Sequence, residues 1–174
     1  MRPIRATCLG TATALVTLLA CAPGAGAATD TDAARTKGGH HVITLIGHLV
    51  QQTRFPVNPG GSAAQGDRTV FRSLLFDKDD KYQVGETDGT CTTTTTVENG
   101  GAEECAVTYK LPGGQLSVQG MVFGILTGGL PTIPPPSFDN AITGGTGMFD
   151  RARGSVHADT IGTGKRRFTI DLDR

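Results

Sequence analysis

The chain has 174 residues, with 16 basic and 16 acidic side chains, and 37% of its residues are hydrophobic. That length suits one domain. The balanced charge leaves no basic surplus to neutralise phosphates, which argues against a nucleic-acid partner.

The N-terminal segment reads as a targeting signal. Arg2 and Arg5 precede an apolar stretch, Ala12 to Ala20, and Ala25-Gly26-Ala27 supplies the small residues of a cleavage site. The apolar stretch is too short to span a bilayer, so residues 1–27 are expected to be a signal peptide and the protein to be secreted or held in the cell envelope. Leu18-Leu19-Ala20-Cys21 also resembles a lipoprotein box, in which Cys21 would be acylated. Removing 27 of the 174 residues leaves 147, with 14 basic against 16 acidic side chains and a net charge near −2. No later stretch is long and apolar enough for a transmembrane segment.

Residues 28–41 read as a flexible leader that includes His40 and His41, and 42–174 as the folded domain. Short apolar and β-branched runs then alternate with turns rich in the 25 glycines and nine prolines. The runs are Val42 to Val50, Thr69 to Phe76, Tyr82 to Glu86, Gly89 to Val97, Cys105 to Leu111, Gln115 to Phe123, Ser155 to Ile161 and Arg167 to Leu172, with a short piece at Ala141 to Thr143. No convincing helical period follows the signal. Roughly eight strands at this spacing predict an all-β sandwich or barrel, and closure would leave no exposed edge. Phe55 to Gly66 and the proline-rich Thr127 to Ser137 are expected to be rim loops that add nothing to a ladder.

Period-2 alternation places Leu116, Val118 and Val122 on one face, and Phe168, Ile170 and Leu172 on another inner face. A two-residue turn at Gly113-Gly114 would pair Val107 with Gly120 and Tyr109 with Val118, putting Cys105 and Val107 inside. A three-residue loop from Pro112 would reverse that. Cys8 and Cys21 belong to the signal region, leaving Cys91 and Cys105. A hairpin centred near Glu98 sets these two opposite each other, at about the 5.5 Å separation that suits a bridge. A disulfide is the expectation for an oxidising compartment, and two separate reduced thiols the alternative.

Several motifs occur in one order: Gly66-Asp67, Gly85, Gly89-Thr90-Cys91, Ser117-Val118-Gln119-Gly120, Thr143-Gly144-Gly145-Thr146-Gly147-Met148-Phe149 and Ala152-Arg153-Gly154. Together they resemble the allene oxide cyclase and dirigent proteins and their bacterial relatives, over roughly Val42 to Leu172. The resemblance implies an eight-stranded antiparallel closed barrel with an apolar lumen open at one end. It implies no cofactor, a hydrophobic small molecule as substrate or ligand, and assembly as a homodimer or homotrimer. Some bacterial barrels of this type close rings in polyketide products, including by Diels–Alder-type reactions, which implies a cyclase or isomerase.

Two departures stand out. The plant cyclases carry a carboxylate on the first strand, whereas no Asp or Glu lies between His40 and Gly66 here. Cys91 matches a pocket cysteine of those cyclases, but Cys105 stands where they have a small uncharged residue.

The candidate pocket residues are Phe71, Leu75, Val107, Val118 and Val122, and His48 is the candidate acid or base. A satisfied strand or rim histidine is the alternative for His48. His40-His41 as metal ligands, Asp77-Asp79-Asp80 as a calcium loop and Gly144 to Gly147 as a phosphate cradle each lack the remaining ligands or motif residues, so no metal site is expected. Ser155, His157 and Asp159 share a strand face without implying a triad. The function expected is stereoselective ring closure in the lumen. A non-catalytic dirigent-like or lipocalin-like binder is the alternative, and a merely stable envelope barrel a third.

Overall fold

Nine strands realise these alternating runs: β1 (His41–Phe55), β2 (Arg68–Phe76), β3 (Gln83–Val97), β4 (Gly100–Leu111), β5 (Gly114–Thr127), β6 (Leu130–Ile133), β7 (Ser137–Gly145), β8 (Arg153–Gly162) and β9 (Lys165–Asp173). The computed structural model describes residues 41–98, 100–127, 130–133 and 135–173, with side chains described outside 125–134. The signal peptide at 1–27, with Cys21, lies outside the described residues, as does the leader except His41. His41 already belongs to β1, where it pairs with Leu172. No described helix is long and apolar enough to cross a membrane.

The ring runs β1–β2–β3–β4–β5–β7–β8–β9 and returns to β1, every pairing antiparallel. This is an eight-stranded closed barrel, so each ring strand has a partner on both sides and the ring itself offers no edge for foreign pairing. β6 stands outside the ring and, among the described residues, pairs with β5 alone, at Thr127↔Leu130, Leu126↔Pro131 and Ile125↔Ile133. This corrects the expectation that Thr127 to Ser137 adds nothing to a ladder. A proline can join a strand that is an edge, because its missing N–H faces away from the partner.

Other elements extend past their apolar runs. β1 continues to Phe55 through a bulge between Leu49 and Gln51, which adds a residue and breaks the alternation on which its recognition depended. Tyr82 to Glu86 and Gly89 to Val97 join as one strand through Thr87 and Asp88, and Thr87 is buried.

The β4–β5 turn is Pro112-Gly113, since Leu111 pairs with Gly114. Val107 therefore faces Val118 and Tyr109 faces Leu116, two residues away from the register expected. A slip of two preserves side-chain parity, so Cys105 and Val107 still point inward. Phe168, Ile170 and Leu172 are likewise buried, as the alternation required.

One half of the tube is filled. Leu75, Leu116, Ile142, Ile170 and Leu172 pack there with Phe149, which arrives on a 3-10 turn, Gly147–Phe149. The Gly144–Gly147 cluster thus leads into a plug, not an anion cradle. Each aliphatic side chain fully buried here contributes about 1.5–3 kcal/mol. With so little helix, this floor is the main core of the domain.

Candidate functional site

Beyond the floor the tube is hollow. A cavity of about 540 Å³ opens between β1, β2, β3, β4, β5, β7, β8 and β9, within the size range of small-molecule sites. Phe71, Val107 and Val122 form apolar wall, while Tyr109 and Phe168 meet edge to face, ring centroids 5.4 Å apart, at its base. Gly89 makes the wall compatible with Phe71: a Cβ there would lie 2.5 Å from that ring.

Three of the five expected pocket residues, Phe71, Val107 and Val122, line the cavity. Leu75 and Val118, at 0% and 2% exposure, do not; they belong to the packed floor. Their faces were read correctly. Strand alternation gives direction but not height, and height decides between hollow and plug.

His48 lies elsewhere. The cavity takes Gly47 and Leu49 from β1, so parity turns the intervening imidazole outward. Its Nε2 sits 2.6 Å from Asp80 Oδ1, and its ring centroid is 4.7 Å from that of Phe76. Asp80 also accepts a 2.7 Å bond from Lys165 Nζ. Lys165 touches the cavity but His48 and Asp80 do not, which corrects the expectation of an acid or base within the lumen at His48.

His157 is on the outer surface as well, held by Asp139 at 2.8 Å and Asp159 at 3.2 Å. Those carboxylates, Asp139 foremost, raise its pKa. Asp77 accepts the backbone N–H groups of Lys81 and Tyr82, which makes the charged segment a hydrogen-bonded turn.

The chemistry of the lumen comes from other residues. Glu103 points inward from β4, only 6% exposed, and its Oε1 has no hydrogen-bond partner among the described residues. Burial holds its carboxyl above the usual carboxylate range, with a Thr93 hydrogen bond acting the other way. Thr87 Oγ1 and Asn140 Oδ1, also in the lining, are buried and lack partners among the described residues. Burial pushes the Tyr109 phenol upward and lowers Arg166, whose guanidinium lies 4.7 Å above the centre of the Phe138 ring. An arginine remains cationic despite such a shift. The cavity therefore offers an acid, a cation, a phenol and a hydroxyl to an otherwise apolar guest.

Glu103 and Arg166 were legible in principle. Glu103 shares parity with Cys105, and Arg166 with Phe168, but each lies just outside its apolar run.

Cys91 and Cys105 are paired residues of β3 and β4, joined by a disulfide with Cα atoms 4.1 Å apart. Both line the cavity. Replacing both by alanine should lower stability by about 3 kcal/mol, the loop-closure value for a ring of this size. Thermal melts should show a fall of about 10 °C; unchanged melting would mean that the bridge does not stabilise the barrel.

No family model and no curated protein matches the sequence. Solved structures do match the fold. Pyocyanin demethylase superposes with a TM-score of 0.62 and 24% identity, covering 76% of this chain and 99% of that one. A pterocarpan synthase dirigent protein gives 0.59 and 18%, over 87% and 98%. The Diels–Alderase AbmU from Streptomyces koyangensis gives 0.57 and 15%, over 82% and 72%. The chain shares with these proteins the fold of a closed, eight-stranded antiparallel barrel.

Proposed function

We propose that this chain is an exported, cofactor-independent cyclase or isomerase that folds a hydrophobic, polyketide-like substrate within the lumen and directs its ring closure. The observation that carries the reading is a barrel plugged at one half and hollow at the other, with polar atoms turned into the hollow. The Diels–Alderases among proteins of the same fold support it. Export is proposed on the N-terminal segment, and a disulfide in the barrel suits an oxidising compartment.

The mechanism follows from confinement. A flexible chain loses its unproductive conformers when Phe71, Val107 and Val122 leave room for one folded shape. Holding reacting carbons in a near-attack arrangement lowers a barrier by several kcal/mol. Arg166, or Glu103 when it carries its proton, would hydrogen-bond a carbonyl on the substrate and draw electron density from a conjugated double bond. No proton need move.

The test is incubation of the mature barrel with a linear polyene carrying an activated double bond, followed by chiral analysis. At least a ten-fold rate gain and one dominant stereoisomer are expected. Val107→Trp, which fills the hollow, should abolish both while leaving the circular dichroism spectrum unchanged. Racemic product at the background rate from the wild type would defeat the reading. A dirigent-like binder without catalysis is the second reading, favoured by the dirigent proteins of the same fold. It predicts saturable binding and altered stereochemistry with no rate gain.

A further inference from the structure

Two charged-type side chains of the lumen without a salt-bridge partner among the described residues, Glu103 and Arg166, stand on opposite walls. Around the ring, β4 and β9 are four strands apart in either direction, through β3, β2 and β1 or through β5, β7 and β8. Glu103 from β4 and Arg166 from β9 therefore face the same cavity from opposite sides. No ion pair joins them among the described residues. Phe71, Val107, Val122 and the disulfide line the same cavity.

The other charges near this space are engaged. Lys165 lines the cavity but pairs with Asp80, which also holds His48. Arg54 pairs with Asp67. Asp139 and Asp159 hold His157 on the outer surface. Among the described residues Arg166 has the Phe138 face and the nearby Tyr109 phenol but no carboxylate, and a desolvated cation gains more from an anionic oxygen than from a ring. Glu103 has the complementary problem: its buried Oε1 has no donor, and a buried carboxyl without a counter-charge favours its neutral form. A neutral carboxylic acid donates a hydrogen bond, which suits a carbonyl or hydroxyl oxygen.

We propose that the lumen is a two-pole receptor for elongated apolar acids, with the ligand's carboxylate or enolate oxygen seated on Arg166, its apolar body along Phe71, Val107 and Val122, and an uncharged oxygen at Glu103. This names the substrate class and rests on the lumen being the ligand site. It does not depend on the barrel being a catalyst. Arg166 is the specificity-determining residue; Glu103 selects among acids by what they carry at the far end.

The experiment is a fluorescence titration of the mature protein with cis-parinaric acid and with its methyl ester, at about pH 8, where the free acid is ionised. The two probes share one polyene and differ in the anion. The acid should bind at least ten-fold more tightly, the discrimination a charge-assisted hydrogen bond supports. Arg166→Gln should reduce the acid to the ester's affinity and leave the ester unchanged. Arg166→Lys, which keeps the charge, should retain most of the preference and guards against a merely misfolded glutamine variant. Glu103→Gln should leave the preference intact, since this acid has no second oxygen at its far end.

Equal binding of acid and ester by the wild type, or a preference that survives Arg166→Gln, would overturn the two-pole inference while leaving the lumen a ligand site. Binding of neither probe would overturn both.

Discussion

Replacing Asp67 by alanine should lower stability by roughly 3–5 kcal/mol, the range for breaking a buried ion pair. Asp67 is 2% exposed at the head of β2. It accepts bonds from the Arg54 guanidinium, from Val57 N at 2.7 Å and from Ala64 N at 3.0 Å. Its own backbone carbonyl accepts Thr93 N, and Gly66 N donates to Thr93 O, both at 2.8 Å. One carboxylate thus ties the 56–66 rim loop to two strands. Arg54 foremost, then the two backbone donors, hold its pKa at about 2 against an ordinary 3.8.

The sign follows from that depression. Asp67 contributes stability that is fully present above about pH 4 and is lost as the pH falls toward about 2, amounting to about 2 kcal/mol. Urea denaturation across that window should show this loss in the wild type and not in Asp67→Ala. Identical acid profiles would refute the assignment. Glu103 acts in the opposite sense: with its folded pKa raised, its contribution is complete below about pH 4.5 and declines as the pH rises through the folded value.

Gly154→Ala should cost roughly 4 kcal/mol, adding backbone strain to overpacking. Gly154 sits at the start of β8 with φ +127°, a region that side chains rarely adopt. A Cβ there would lie 2.0 Å from the carbonyl oxygen of Asp171 on β9, which cannot yield without breaking the ladder. The Ala152-Arg153-Gly154 motif therefore has a packing reason, with Ala152 itself in the core. Thermal melts would check this, and a variant melting within a few degrees of the wild type would show that β8 tolerates the shift.

These two residues, Asp67 and Gly154, were marked in the sequence by resemblance, without a physical reason attached. The barrel was readable because apolar residues recur at every second position between Gly- and Pro-rich turns. The bridge was readable because the Glu98 turn sets Cys91 against Cys105. The interior faces of β5 and β9 followed from the same period, whereas that of β4 hung on the length of the turn after Leu111. What alternation does not encode is distance along the tube, so Leu75 and Val118 were placed with Phe71 although they fill the floor. Nor does an apolar run reveal charged residues that extend it inward, which is why Glu103 and Arg166 emerged only from the fold. His48 stood out by its chemistry, yet the neighbours that turn inward, Gly47 and Leu49, assign it to the outside.

The order of strands around the ring also bears on how the chain assembles. Most pairings join consecutive strands, so each hairpin can zip as soon as its second arm exists; only the β1–β9 seam, from His41↔Leu172 to His48↔Lys165, joins the two ends of the domain. Sewing that seam carries the largest loop-closure penalty and is expected to come last. Until then the curled sheet has two raw margins, each able to recruit a neighbouring chain. A polypeptide stopping short of Lys165 would never lose them, and its fate should be aggregation, however sound its hairpins.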